Sequence, residues 1–391
     1  MSRASSLRIA LVGGPMYDPL YDEIAAFRHD TGLDVEIVAR LPHPELNSFV
    51  KNSFESGDAL DLISTHTKYA PSQAAWLSPL DADLPADWIA DLLTRPAELS
   101  RIGGELTQVP RNLDVRLLHY RTDLIDHPPR TWVDLVTAAT TVRGVHGFLF
   151  PGRDSGLFGT FYELLVGAGG DLFDEALAPA FDCAAGRWAI EQIVDLHHVR
   201  QVTPRDLPNW HYDEISAAFR DGHAAMVTDW PGSYHLYRDP ASCRVADRVG
   251  LALLPLGPAD VRAAYAGCHS FAIPRSARNR EAALALLQHL TSFAAQLGEA
   301  RRGAIPCRVS ALAAIRSEAT FDHAENRRWQ LLADTEPTMI IPPRFAAYPQ
   351  CEDALWRSLQ RAMVGDWTPV EAVRRAATDV QAIVAEHVPA R

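Results

Sequence analysis

At 391 residues and 43.1 kDa the chain exceeds what a single hydrophobic core usually serves, so two lobes are expected. Its 47% hydrophobic and 22% charged residues suit a soluble globular protein, and a formal net charge of −12 argues against nucleic-acid binding, which draws on a basic patch. No stretch approaches the roughly 20 apolar residues of a bilayer span. Met1 to Arg8 contains Arg3 but no apolar leader core, so the expectation is either a truncated signal or a cytosolic location.

In chain order, Leu7 to Gly14 is a continuous apolar run ending in Gly-Gly-Pro, which predicts a buried parallel strand and a tight loop. Leu20, Ile24 and Phe27 recur at spacings of four and three and predict a helix. Leu33, Val35 and Ile37 alternate with Asp34 and Glu36 as in a period-two strand, and Ala59 to Ser64 reads as another strand after the turn Ser56-Gly57-Asp58. The alternation of strands and helices predicts a doubly wound α/β layer. Val115 to Tyr120 predicts a strand, and Thr131 with Asp134 three residues on predicts a helix N-cap. Gly156 to Val166 is helical in pattern and stops at Gly167, Gly169 and Gly170, while Asp182 is placed to cap a helix carrying Ile190, Ile193, Val194 and His197. A further helix ends at Gly222 and feeds a strand from Ala224 to Thr228. Leu286, Leu290, Phe293 and Leu297 predict one face of a long helix. Thr368-Pro369-Val370-Glu371 predicts a capping box with proline at the first helical position. Two α/β lobes with no linker between them imply a chain that crosses from one to the other more than once.

Arginine carries almost all the positive charge, because Lys51 and Lys68 are the only lysines. That usage weakens the case for any single arginine as an anion ligand. The five cysteines, Cys183, Cys243, Cys268, Cys307 and Cys351, lie far apart and form no C-x-x-C, so zinc, thioredoxin-like and haem readings lose support. A pairing of two of them stays open. There is no G-x-S-x-G, P-loop, G-x-G-x-x-G or H-E-x-x-H, and His197 and His198 would point about 100° apart on a helix. No cofactor, metal or catalytic group is expected.

Short patterns then appear in a consistent order. Ser56-Gly57-Asp58-Ala59-Leu60-Asp61-Leu62-Ile63 precedes Trp76-Leu77-Ser78-Pro79-Leu80-Asp81; Gly104 to Pro110 precedes Leu118-His119-Tyr120-Arg121-Thr122-Asp123-Leu124; Pro128 to Leu135 contains Arg130-Thr131-Trp132. Gly169-Gly170-Asp171-Leu172-Phe173, Ala218 to Met226, Asp229-Trp230-Pro231-Gly232, Gly267 to Pro274 and Gly303-Ala304-Ile305-Pro306 follow. Each is weak alone, but in one order over nearly the whole chain they resemble the family 1 extracellular solute-binding proteins of bacterial ABC importers, the group of maltose- and glycerol-phosphate-binding proteins.

The resemblance implies an α/β, two-lobed periplasmic-binding-protein fold of type II, with a ligand cleft between lobes and hinges near Pro110 to Val115 and Ala266 to Ser270. It divides the chain into a first lobe of residues 1–113 plus 269–320 and a second of 114–268 plus 321–391. It further implies a carbohydrate-like solute bound by hinge closure, ABC permease subunits as partners, a monomer, and a periplasmic or extracytoplasmic location. A sugar needs an apolar platform and a ring of hydrogen-bonding groups. Trp230 is the candidate platform, or else a cap on the second lobe's core, and Asp229 is a hydroxyl acceptor or a turn cap. Tyr17 lies in the loop that ends the first strand, where a plain turn is the competing reading, and Thr65 and His66 follow the strand at Leu62 to Ser64. Arg111, Asn112 and Asp114 sit at the first crossing, where a structural salt bridge is the competing reading. Arg153 and Asp154 precede a helix; Gly267 and His269 belong to the return crossing, and Arg344 to a late loop. Two other functions are weighed: a cytosolic ligand-binding sensor, and an enzyme like the thiaminase I relatives of this fold. The latter need a cysteine near the first crossing, where Val109-Pro110-Arg111-Asn112-Leu113 has none.

Overall fold

Leu7–Val12, the apolar run that opens the chain, is buried except at Arg8 and lies between two parallel neighbours, Val35–Leu41 and Leu62–His66. This computed structural model describes residues 6–318 and 323–387, so the leader reading of Met1 to Arg8 falls mostly outside it. The chain forms two compact units. The first runs through Asp114, resumes from Gly267 to the helix Val309–Ser317, and includes Arg344–Ala346. The second comprises Val115–Ala266, the chain from the helix His323–Thr335 to Pro343, and the chain from Ala347 onward. Among the described residues, no helix is long and apolar enough to cross a membrane.

In the first unit the sheet order is Ile305–Pro306, Val109–Val115, Ala264–Ala272, Leu62–His66, Leu7–Val12, Val35–Leu41. Residues 269–272 run antiparallel to Leu62–His66, in an otherwise parallel neighbourhood, with His269 opposite His66 and Ser270 opposite Thr65. The helix Asp18–Thr31 buries Leu20, Ile24 and Phe27, the predicted stripe, and ends on Gly32 in the left-handed conformation. The predicted alternation in the second strand fails at one position. Val35 is 4% exposed but Ile37 is 40% exposed, because a register shift opposite Ile9 and Ala10 inserts Val38 and turns the pleat.

In the second unit Leu117–Arg121 is the centre of an antiparallel sheet, flanked by Met226–Asp229 and Val249–Ala252. Isolated parallel bridges from His146 to Ala224 and from Leu149 to Val227 extend its edge. The strand predicted over Val115 to Tyr120 is two strands, Val109–Val115 and Leu117–Arg121, broken at Arg116. Thr131 is the predicted N-cap of Trp132–Thr141, and with Asp134 it forms a full capping box. Asp182 is not a cap: Cys183 takes that position without a side-chain bond, and Asp182 instead pairs with Arg187. His197 lies past that helix, in the π-turn Asp195–Val199. The final helix, Pro369–His387, starts with proline as predicted and Thr368 Oγ1 accepts from the Glu371 amide at 3.2 Å, but the Glu371 carboxylate pairs with Arg375, so only half of the predicted capping box forms.

The long helix predicted from Leu286 to Leu297 is two helices, Arg280–Leu290 and Phe293–Ala300. Ser292 caps the second through Ala295 N–H, at 3.1 Å, and the change of direction leaves Phe293 44% exposed while Leu286 is fully buried. Leu286→Ala is therefore expected to lower stability by about 2–5 kcal/mol through its cavity, Ser292→Ala by about 1 kcal/mol, and Phe293→Ala by under about 1 kcal/mol, measured by urea denaturation. A single continuous helix would make Phe293→Ala as costly as Leu286→Ala.

Candidate ligand-binding site

Three parallel strands of the first unit end side by side, and each end presents a ring. Tyr17 lies in the turn Pro15–Tyr17 after the first strand, His43 opens the helix His43–Ser56 after the second, and His66 ends the third. Ligands of open α/β sheets gather at such carboxyl ends. His269, on the antiparallel neighbour, completes the group: its ring centroid lies 4.3 Å from that of His43, 5.2 Å from His66 and 5.5 Å from Tyr17.

A buried polar chain runs into this cluster. Arg111 Nε donates to Glu299 at 3.0 Å, Arg111 Nη1 to Asn112 Oδ1 at 3.4 Å, and Asn112 Nδ2 to Asp114 Oδ1 at 2.8 Å. Asp114 Oδ2 is 2.5 Å from His269 Nε2, while His269 Nδ1 is hydrogen-bonded to His43 Nε2. Tyr17 Oη is 3.3 Å from His269 Nε2. Arg111, Asn112, Asp114 and His269 are all buried, with Tyr17 and His43 half-buried. Burial raises the Glu299 carboxyl, opposed by the Arg111 guanidinium beside it. The structural salt bridge weighed as the competing reading at the crossing thus exists for Arg111, with Glu299 as its partner.

His66 accepts from the Lys68 amide through Nδ1, at 3.3 Å. Burial drives its pKa well below the usual imidazole value, and the charges of His269, Lys68, His43 and Arg344 lower it further. Gly267 has a steric reason to be glycine: a Cβ there would lie 2.2 Å from His66 Nε2. Thr65 is committed to a different relay, donating to Gln73 Oε1 at 2.8 Å while Gln73 donates to Asn47. Arg344 donates to the carbonyls of Thr67 and Arg101, tying two loops of this unit together.

The second unit carries its own cluster. Trp230 is half-buried at the end of Met226–Asp229, with its ring 5.2 Å from Tyr212 and 5.9 Å from Tyr265. Asp229 is buried and accepts hydrogen bonds from Tyr237 Oη and, at 2.8 Å, from the Trp230 amide. Burial pushes its pKa up to about 6. Arg116, fully buried at the break between the two strands, donates to Thr160 at 3.0 Å and Thr228 at 2.5 Å and lies 3.3 Å from Glu163. Burial raises Glu163 to about 7 despite that arginine. Arg153 donates to Asp154 at 2.8 Å, and Asp154 opens the helix Asp154–Gly167 at a φ of 54°.

Thus Tyr17, His66, Arg111, Asn112, Asp114, Gly267 and His269 form one assembly in the first unit, while Thr65 and Arg344 are held by other partners. Asp229 and Trp230 belong to the second unit's cluster; Arg153 and Asp154 pair with each other. Sequence reasoning missed His43, Arg116, Glu163, Tyr212 and Tyr265. His43 had a legible signal, since it follows a strand just as His66 does; Arg116 was hidden by the reading of one continuous strand. All five cysteines are free of disulfides, and the Cys268 and Cys307 sulfurs, buried 3.7 Å apart, share a thiol hydrogen bond. Burial raises the Cys307 thiol well above its usual range.

A mixed sheet of parallel strands with an antiparallel insertion, repeated chain crossings and polar strand-end clusters define the two-lobed type II periplasmic-binding-protein class. Residues 13–297 match the bacterial extracellular solute-binding protein family, and the chain belongs to it. It is 27% identical to the maltose-bound MalE3 structure of T. maritima, with a TM-score of 0.89 over 97% of this chain and 100% of that one. It is 25% identical over 55% of its length to a "Probable ABC transporter-binding protein" of Deinococcus radiodurans, and 27% identical over 56% to a "Mannitol-binding protein" of Pseudomonas aeruginosa. The chain spans about half the length of these two relatives, 54% and 52% respectively.

Two substitutions test the packing of these clusters. Gly267→Ala displaces a buried imidazole and is expected to cost about 1–3 kcal/mol by chemical denaturation. Glu163 has a folded-state pKa raised from 4.5 to about 7, so its stabilising contribution is present below pH 4.5 and is lost as pH rises through about 7. The stability of Glu163→Gln relative to the parent should accordingly increase across that window; a pH-independent difference would contradict the burial argument.

Proposed function

We propose that this chain is the substrate-binding component of an ABC transporter, closing its lobes on a sugar, polyol or acidic sugar derivative and delivering it to a permease, as an extracytoplasmic monomer. The observation that carries this reading is the pair of strand-end clusters, one polar and imidazole-rich in the first unit, the other aromatic around Trp230 in the second. The half-buried Trp230 ring, steadied by Tyr212 and Tyr265, is a platform for the C–H face of a pyranose or polyol chain. Buried carboxylates and imidazoles, held by other protein groups, are pre-oriented to exchange hydrogen bonds with hydroxyls. The maltose in the T. maritima structure and the name of the P. aeruginosa relative favour this solute class.

A cytosolic sensor would use the same clusters and differ in its partner. A thiaminase-like reaction is less well supported, since the polar cluster contains imidazoles and carboxylates, whereas Cys268 and Cys307 are buried against each other.

Thermal-shift screening against sugars, polyols, uronates and sugar phosphates tests the proposal. A solute at 100 times its Kd should stabilise the fold by roughly 2.7 kcal/mol, a shift of several degrees, and Trp230→Ala should remove most of it. No stabilisation by any carbohydrate would sink the assignment, and breakdown of a bound compound would favour an enzyme.

A further inference from the structure

The second unit holds a groove that the solute-binding reading does not use. It has a volume of about 840 Å³ and is lined by the strand Val249–Ala252 and the helix His323–Thr335. The helix lends it Ala324, Arg327, Leu331 and Asp334, spaced by three and four along one stripe. The loop before Trp132–Thr141 adds Arg130, and the loop before Ala264–Ala272 adds Arg262. Asp229, Trp230 and Tyr212 do not line it, so it is distinct from the aromatic cluster.

In a chain of net charge −12 this groove is cationic. Among the described residues, the guanidinium groups of Arg130, Arg262 and Arg327 enter no ion pair. Asp334 is the one carboxylate of the described lining, and its Oδ1 already accepts from Gln330 at 2.9 Å. Asp134, beside Arg130, is committed to the backbone and accepts from the amides of Arg130 and Thr131 at 3.2 and 2.9 Å. Arg238, a fourth arginine of the lining, is engaged elsewhere, over the Tyr234 ring at 5.5 Å and acting on Glu325. Setting both Asp334 and Asp134 against the three arginines still leaves a positive excess.

Arg262 is the most constrained of the three. It is half-buried, and its Nε donates to the Leu254 carbonyl at 2.6 Å, which fixes the plane of the guanidinium and leaves both terminal nitrogens for a ligand. Burial and the nearby charge of Arg130 lower its pKa. Two like charges held close without an acid between them repel, and an anion seated across both removes that cost. Arg327 enters from the helix wall, its charge felt at the Tyr120 phenol. Tyr120 itself lies over Gly250, where a Cβ would come within 2.4 Å of the ring carbon Cζ. The groove thus has an aromatic floor beside Leu251 and Leu331, on which the carbon frame of an organic anion can rest.

We propose that the Arg130–Arg262–Arg327 groove is a second ligand site, binding a small, soluble, multiply charged organic anion, a phosphate ester or a polycarboxylate. Guanidinium forks match the paired oxygens of both groups, and three of them favour a ligand with more than one charge. The recess falls within the roughly 300–1,000 Å³ typical of small-molecule sites, which suits a single molecule better than a lipid surface.

Calorimetric titration of the whole chain at fixed ionic strength tests this, with pyrophosphate and citrate as probes and acetate as the singly charged control. Pyrophosphate, citrate or both should bind, and more tightly than acetate. Arg130→Gln and Arg327→Gln should each weaken that binding about tenfold, through the loss of a charge-assisted hydrogen bond. Both side chains are exposed and outside ion pairs, so urea denaturation should show each variant folded with its stability unchanged. Arg374→Gln, which removes an exposed arginine of the final helix, should bind as the parent does. Absence of binding by both probes overturns the inference. So does binding that survives in folded Arg130→Gln and Arg327→Gln, or that falls equally in Arg374→Gln, the sign of charge at large. Flotation with phosphatidylglycerol vesicles is the last arm: arginine-dependent capture by vesicles, without binding of the soluble anions, assigns the groove to a membrane surface and overturns it too. None of these outcomes bears on the solute-binding reading, which rests on other residues.

Discussion

The antiparallel pairing of residues 269–272 with Leu62–His66 is the contact on which the first unit's chemistry depends. A parallel sheet ends its strands at one edge, so Tyr17, His43 and His66 arrive together from ordinary right-handed connectivity. The returning strand inserts between Leu62–His66 and Val109–Val115, bringing His269 beside His66 on one side and within reach of Asp114 on the other. Its nine residues are all buried, so the register is held by the core. Gly267 allows the close approach, because any side chain there would collide with the His66 ring.

Buried charge is treated differently in the two units. In the first, Arg111, Glu299, Asn112 and Asp114 form a connected chain, so few of their polar atoms lack a protein partner. In the second, Arg116 interrupts two strands and is surrounded by Thr160, Thr228 and Glu163, the last of which burial holds near neutrality at about 7. Asp229, raised to about 6, sits next to the half-buried Trp230 ring. Such groups are costly to bury, since hydrophobic residues would pack more cheaply in their place.

Much of the fold was legible because apolar periodicity and caps are local. Leu20, Ile24 and Phe27 marked their helix, Thr131 and Asp134 an N-cap, and the ordered motifs from Ser56 to Pro306 the family. The errors share a cause. Ile37 was misplaced by a bulge, Phe293 by a helix break at Ser292, and Arg116 by a strand break; each is a change of direction that leaves the hydrophobic pattern almost intact. Asp182 had the right residue type one position too early, and Cys183 took the cap.

The sequence by itself determined the two-lobed α/β class, the family, and the candidates at the strand ends and crossings, since these follow from spacing and motif order along the chain. Tertiary structure alone decided which candidates meet. Thr65 and His66 are neighbours in sequence, yet one joins Gln73 and Asn47 while the other joins the imidazole cluster, because successive residues of a strand point to opposite faces. His43 and His269, 226 residues apart, share a hydrogen bond that no local pattern encodes. Their pairing comes from sheet order, and sheet order is set by the burial of the whole chain rather than by any segment of it.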